Sequence, residues 1–220
     1  MASWTAHPVV ATQSAADRAR WLDDPRVPGF LLFALAAQFM VVIMLAASIA
    51  PAYDFAGGAI SDLGVIDQTA LLFNVSLVAV GLLNLAGGYL FHRAHRRGWV
   101  LATFALAGLG AIGAGIVPLD RGGLHGLFAL FAFVFFNLEA IASASVLRGP
   151  MRAISYLAGA VGLAFVAIMI VGDAGNPAVF GAIGHGGAER MIAYPAMLWL
   201  MGFGGYLMAA DRDEAGLSAR

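Results

Sequence analysis

The residues that could do chemistry are concentrated in three polar segments of an otherwise apolar chain, at residues 51–68, 118–125 and about 173–190. Carboxylate and imidazole groups can bind a divalent metal or move a proton, and a guanidinium can hold a phosphate through two hydrogen bonds. Charges that stay unpaired in apolar surroundings are costly, so we expect these groups to pair with one another. The predicted ligand-binding site consists of Asp62, Asp120, His125, Glu189 and Arg190.

Each of these residues also has a purely structural interpretation. An Asp side chain can lock a turn by accepting backbone N–H groups, which would suffice for Asp62 beside Ser61. Asp120 reaches the imidazole of His125 if the two glycines between them fold back, but an acid near a helix start needs no function. Arg190 can extend to the membrane interface beside a helix-start acid. The sequence leaves these alternatives open.

A second candidate site lies inside an apolar stretch, where Glu139 is an embedded carboxylate. A charge at that depth costs about 2.5–3.5 kcal/mol on insertion scales, so Glu139 should face the interior of the protein. Asn84 and Ser143 are its possible partners, and Glu139, Asn84 and Asn137 form the candidate intramembrane polar site. The functional interpretation is a proton-carrying site, and the structural one is a protonated carboxyl in a hydrogen bond between helices.

The composition of the chain indicates to which class of protein it belongs. Of the 220 residues, 61% are hydrophobic and 11% are charged, whereas about a quarter of a soluble domain is charged. A soluble globule of this composition would expose large apolar patches, so we predict a polytopic membrane protein. The chain has no cysteine, no nucleotide or haem motif, and a net charge of −1 that does not indicate nucleic acid.

The elements that must position the polar residues are six apolar stretches, each long enough for the roughly 20 residues that span a bilayer. We predict an all-α bundle of six transmembrane helices, antiparallel to their neighbours because the connections are short. Residues 1–27 and 211–220 are predicted to be polar tails that flank a transmembrane domain of residues 28–210. The predicted helices cover residues 28–50, 69–91, 99–117, 124–147, 153–173 and 190–210.

The arginines predict the orientation of this bundle. Only Arg121 and Arg190 lie on the side of the three polar segments. The positive-inside rule therefore places both termini in the cytoplasm and the polar segments outside, in a multi-pass protein of the cell inner membrane. The basic residues on the predicted cytoplasmic side are Arg18, Arg20, Arg26, Arg93, Arg96, Arg97, Arg148, Arg152, Arg212 and Arg220.

The order of several short motifs resembles a known family. These motifs are the I-S-D-L-G turn, Asn74 with Ser76, the Pro118–Asp120 turn before His125, and the Glu189–Arg190 pair before Tyr194–Pro195. Over roughly residues 30–210 the chain is similar to the prokaryotic integral-membrane family of the domain of unknown function 998. The resemblance implies a six-helix membrane fold and no particular activity. A more distant likeness to eukaryotic six-helix proteins of autophagy and lipid-anchor remodelling is an analogy of fold.

Three functions from different classes fit these observations. The leading prediction is an extracytoplasmic polar site that binds or acts on a lipid headgroup or other small ligand, with membrane lipids as partners and a divalent metal as a possible cofactor. The second is a proton-coupled transporter that uses Glu139, although the sequence shows no inverted repeat. The third is a structural or accessory membrane subunit. A homo-oligomer is compatible with each, and no motif decides whether the protein is an enzyme.

Overall fold

The protein is described by a computed structural model that covers residue 24 and residues 26–209. Both predicted tails lie outside the described residues, except for residues 24, 26 and 27. Within the described part the structure is all-α, as predicted. Its long helices are α1 (Arg26–Ile49), α2 (Ala70–His95), α3 (Gly98–Ile116), α4 (Gly123–Ala144), α5 (Gly149–Asp173) and α6 (Gly184–Ala209).

All six helices are long and apolar enough to cross a membrane, counting α6 together with the short helix that precedes it. Each helix packs against the next one in the chain, and α6 also packs against α1 and α4. The connections between consecutive helices are short, so neighbours run antiparallel. The prediction of a six-helix membrane bundle is therefore confirmed.

The two ends of the bundle differ in their connections. One end, which we call the polar end, carries residues 50–69, 117–122 and 174–183, and each of these connections contains a short 3₁₀ helix. The other, arginine-rich end carries the tight connections at residues 96–97 and 145–148, together with the start of α1 and the end of α6. All the residues of the predicted ligand-binding site come from the polar end.

Glycines allow the helices to approach closely. A Cβ on Gly81 of α2 would overlap the carbonyl oxygen of Gly108 on α3, and a Cβ on Gly88 would overlap the ring of Phe104. Gly29 of α1 meets Gly204 of α6 in the same way. Because apolar side chains gain little from leaving lipid for one another, close backbone contact of this kind is a main source of helix association in membranes.

The last helix begins earlier than the predicted start at residue 190. α6 begins at Gly184, whose φ of 68° lies in the left-handed region that glycine adopts without strain. The N–H groups of Gly186 and Gly187 donate to the carbonyl of Ala56 at 2.8 and 3.3 Å, and a Cβ on Gly186 would overlap the carbonyl oxygen of Gly58. These glycines, which the sequence places in the third polar segment, instead bring the first turn of α6 against the connection after α1.

Candidate functional site

Arg190 fastens the connection after α1 to α6. Its Nη1 donates to the carbonyl oxygens of Phe55, Gly58 and Gly186 at 3.0, 3.2 and 2.8 Å, and its Nη2 donates to the hydroxyl of Tyr53 at 2.6 Å. The guanidinium carbon also lies 3.8 Å from the centre of the Phe55 ring, a cation–π contact. These contacts give Arg190 a structural role, and its Nε is buried without a hydrogen-bond partner among the described residues. A role as a phosphate holder stays a prediction.

Tyr53 completes this attachment from the other side. Its hydroxyl donates to the carbonyl oxygen of Ala59 at 2.7 Å while it accepts from Arg190. Burial raises the pKa of Tyr53 above its ordinary value, against the opposing effect of the hydrogen bond from Arg190. The phenol therefore stays neutral and keeps its proton for Ala59 at ordinary pH.

Glu189 makes a second attachment to the same connection. The carboxylate is almost fully buried, and its two oxygens accept from the backbone N–H of Ile60 and, at 3.3 Å, from the hydroxyl of Ser61. Asp62 accepts from the N–H of Ala59 at 2.8 Å. Asp62 thus locks its own turn, as its structural interpretation predicts. We call Glu189, Arg190 and Tyr53, with the backbone they hold, the loop clasp.

His125 lies at the first turn of α4 and is almost fully buried. Its Nδ1 is 2.7 Å from the carbonyl oxygen of Val117. Since a carbonyl only accepts, Nδ1 carries the proton, and the other ring nitrogen of the neutral imidazole is a hydrogen-bond acceptor. That atom, Nε2, is buried and has no hydrogen-bond partner among the described residues. His125 therefore offers an unused acceptor at the polar end.

Asp120 does not join this group, so the predicted contact between Asp120 and His125 is not formed. The Asp120 side chain is exposed on the 3₁₀ helix Leu119–Arg121, and its carboxylate lies 3.9 Å from the Nε of the equally exposed Arg121. The backbone carbonyl of Val117 takes the position on His125 that Asp120 was expected to occupy. Asp120 is therefore a solvent-exposed residue of the connection between α3 and α4.

A cavity of about 650 Å³ lies between α4, α5, α6 and the first connection. This volume is typical of small-molecule sites in proteins. Its polar lining is formed by Ser61, Asp62, His125, Asp173, His185 and Glu189. Its apolar lining includes Leu130, Phe133, Val166, Met169, Ile170 and Ile192. Three of the five residues predicted for the site, Asp62, His125 and Glu189, therefore line one cavity.

Two residues of this lining were not selected from the sequence. Asp173 ends α5 and His185 opens α6, and His185 Nε2 lies 3.3 Å from a carboxylate oxygen of Asp173. The pair joins the two helix ends beside the cavity. Both belong to the third polar segment, and Asp173 lies at its edge, next to an apolar stretch. Loop residues are usually polar because they are exposed to solvent, so this position in the sequence does not distinguish Asp173 and His185 from ordinary loop residues.

The divalent metal that the sequence allows gains no support from the geometry. Within residue 24 and residues 26–209, no group of three His, Asp or Glu side chains is placed to hold a metal ion. The carboxylates of Asp62 and Glu189 are instead occupied by backbone N–H groups of the first connection. The polar groups are thus arranged to hold backbone and to line a cavity.

The embedded carboxylate of Glu139 lies apart from the cavity lining. Its Oε2 accepts from Nδ2 of Asn84 at 3.0 Å, and the same Nδ2 donates to the carbonyl oxygen of Phe104 at 3.0 Å. The expected partner Asn84 is therefore in place. Asn137 instead donates to the carbonyl oxygen of Ile192 at 3.1 Å, which ties α4 to α6. Ser143 makes no hydrogen bond to Glu139.

The six apolar helices and the buried polar ties between them define a multi-pass α-helical membrane protein. The chain belongs to the family described as Protein of unknown function (DUF998), whose model matches residues 29–206, so the resemblance noted in the sequence is confirmed. Among curated proteins and solved structures, no significant match is found. Family membership thus establishes the kind of protein and assigns no function.

Proposed function

We propose that this protein binds a membrane lipid in the cavity at its polar end. The observation that carries the proposal is the division of the cavity lining into a titratable part and an apolar part. Asp62 lies in the connection after α1, Asp173 ends α5 and His185 lies in the first turn of α6. Phe133 and Val166 lie deeper in the span. Along α4, the distance from His125 to Phe133 corresponds to about 12 Å of helix rise.

This arrangement matches the two parts of a lipid. The headgroup would contact the titratable side chains, and the upper part of an acyl chain would lie along the apolar ones. A ligand without an apolar part would gain nothing from such an apolar lining. The proposal thus assigns a role to both halves of the cavity.

The cavity also offers a lipid a way in from the bilayer. Leu130 of α4 and Ile170 of α5 line it, and these side chains are 39% and 55% exposed. An enclosed cavity would leave its lining side chains buried, so this one opens between α4 and α5. A lipid would enter sideways from one leaflet, which the arginine distribution predicts to be the outer one.

The test places a tryptophan at a glycine that lines the cavity and, as a control, at a glycine that does not. Gly126 lines the cavity and Gly202 does not, yet both are exposed helical positions where a Cβ would meet no atom within 4 Å. Native mass spectrometry of the purified protein would count the co-purified lipids. We expect Gly126→Trp to lose a bound lipid and Gly202→Trp to keep it.

The same comparison also contains the outcome that overturns the proposal. If Gly126→Trp and the wild-type protein carry the same lipids in the same amounts, the cavity does not bind lipid. The polar end then fits the structural or accessory role that the sequence allows. Proton-coupled transport has weaker support, because Glu139 is bound to Asn84 and lies apart from the cavity lining.

A further inference from the structure

We infer that the cavity selects a lipid headgroup that donates hydrogen bonds, through an ammonium or a hydroxyl group, over one that presents bare phosphate. The inference rests on the proposed lipid-binding function and names the chemistry of the ligand. It follows from the hydrogen-bonding character and the charge of the groups that line the polar part of the cavity.

The polar lining consists mainly of acceptors. Asp62, Asp173 and Glu189 contribute carboxyl groups. Asp62 and Glu189 each accept from a backbone N–H of the first connection, and Asp173 lies 3.3 Å from His185 Nε2, so what they offer a ligand is the lone pairs that these contacts leave unused. His125 adds Nε2, which is an acceptor because Nδ1 uses its proton on the carbonyl of Val117. This nitrogen is buried and unpartnered among the described residues, in a residue that lines the cavity. A buried acceptor without a partner is unusual, and a donor from a ligand would satisfy it.

Cationic side chains that would hold a phosphate are missing from the described lining. No arginine is among the residues that line the cavity, and the chain has no lysine. Arg190 is close by in sequence but does not line the cavity. Its Nη1 and Nη2 donate to three carbonyl oxygens and to Tyr53, and its Nε is buried. Arg121 is exposed beside Asp120. A phosphate in the cavity would therefore lack the forked partner that such groups usually receive.

The charge balance points in the same direction. If the buried Arg190 is counted against its neighbour Glu189, the charges left over are those of Asp62 and Asp173. Among the described residues of the lining no arginine offsets them, and the imidazole of His185 lies 3.3 Å from the Asp173 carboxylate. The cavity thus attracts an ammonium group, accepts hydrogen bonds from a hydroxyl group, and repels an anionic phosphate.

Four synthetic lipids with the same acyl chains separate these contributions. Phosphatidylethanolamine carries an ammonium, diacylglycerol carries a hydroxyl, phosphatidylcholine carries a cation without donors, and phosphatidic acid exposes its phosphate. Each would be titrated into the delipidated protein in detergent, with bound lipid counted by native mass spectrometry. We expect phosphatidylethanolamine and diacylglycerol to bind at least tenfold more tightly than phosphatidic acid, and phosphatidylcholine to bind more weakly than phosphatidylethanolamine.

A pair of charge-removing variants tests whether the cavity sets this preference. Asp173 lines the cavity, whereas Asp67 is an exposed residue of the same end outside the lining. We expect Asp173→Asn to reduce the preference for phosphatidylethanolamine over phosphatidylcholine several-fold, and Asp67→Asn to leave it unchanged. An equal effect of both variants would mean that the surface charge of the polar end, and not the cavity, sets the preference.

The outcomes separate this inference from the function on which it rests. The inference is overturned if phosphatidic acid binds best, or if all four lipids bind equally and Gly126→Trp abolishes their binding, and in both cases lipid binding itself stands. If no lipid binds, or if Gly126→Trp leaves all binding intact, the proposed function fails as well. Equal binding of phosphatidylcholine and phosphatidylethanolamine would overturn the requirement for donors.

Discussion

Arg190 is a buried cation whose hydrogen bonds go mainly to backbone carbonyl oxygens. Its hydrogen bonds to the carbonyls of Phe55, Gly58 and Gly186 hold the connection after α1 in place. A buried carbonyl that loses its donor costs about 1–3 kcal/mol, so one substitution removes several contributions at once. The charged residue that the sequence assigned to a ligand is, at this scale, a structural fastener.

Removing this fastener should destabilise the protein strongly. We expect Arg190→Ala to lower the free energy of unfolding by more than about 2 kcal/mol, measured by thermal melts in detergent. Arg121→Ala is the control, because Arg121 is exposed at the same end. If the two variants melt at the same temperature, the loop clasp does not contribute to stability.

The carboxyl group of Glu139 provides a second prediction. Glutamine can still accept from Nδ2 of Asn84, so Glu139→Gln should melt close to the wild-type protein. Glu139→Leu leaves that donor with only the carbonyl of Phe104 and should cost about 1–3 kcal/mol. The cost should shrink when Asn84→Leu is added, since the two side chains form one interaction. Equal melting of the Gln and Leu variants would show that the carboxyl is idle.

Tyr53 predicts a dependence of stability on alkaline pH. Because burial raises its pKa in the folded protein, the folded state holds the phenolic proton more tightly than the unfolded state. The resulting stability is fully present below the ordinary pKa of about 10 and is lost as pH rises through the raised pKa. Melting temperature should therefore fall less steeply above about pH 10 in Tyr53→Phe than in the exposed-site control Tyr89→Phe. Parallel slopes would contradict this role.

At the scale of elements, hydropathy predicts the helices because lipid demands continuous apolar stretches whose backbone bonds are satisfied internally. It does not predict where α6 begins. The segment from Gly184 to Gly187 has a loop-like composition, and only its contact with the carbonyl of Ala56 makes it a helical turn. Such a tie joins residues far apart in the chain, and no local pattern reports it.

The glycine contacts between α2 and α3 give a prediction about helix packing. Gly81→Val should separate the two helices, because its Cβ would overlap the carbonyl oxygen of Gly108. Gly202→Val introduces the same residue where a Cβ would meet no atom within 4 Å. We expect the first variant to aggregate or melt early on size-exclusion chromatography in detergent and the second to remain monodisperse. Identical elution of both would mean that close approach at Gly81 is unimportant.

At the scale of the whole molecule, the orientation is a prediction from the arginines. The native chain has no cysteine, so a single introduced cysteine reports its own side of the membrane. Ala56→Cys at the polar end should react with an impermeant maleimide added outside intact cells. Gly98→Cys, exposed at the arginine-rich end, should react only after permeabilisation. The reverse pattern would place the cavity in the cytoplasmic leaflet.

The candidate site could be predicted in part from the sequence. Short connections in an antiparallel bundle bring Asp62, His125 and Glu189 to one end, and these three residues do line one cavity. The positions of Asp120 and Arg190 depend on which backbone carbonyls become free when the connections fold. Every residue carries the same backbone carbonyl whatever its side chain. Residue types alone therefore could not distinguish a ligand-binding arginine from one that binds the protein's own backbone.

The most direct test of lipid binding is photo-crosslinking in the native membrane. A phosphatidylethanolamine with a diazirine in its acyl chain would be activated by light, and the labelled residues would be mapped by mass spectrometry. We expect the labels to be concentrated on the cavity lining of α4 and α5, near Phe133 and Val166, and to disappear in the Gly126→Trp variant. Labels spread over lipid-facing side chains such as Leu71 and Leu82 in proportion to their exposure, and unchanged in that variant, would contradict it.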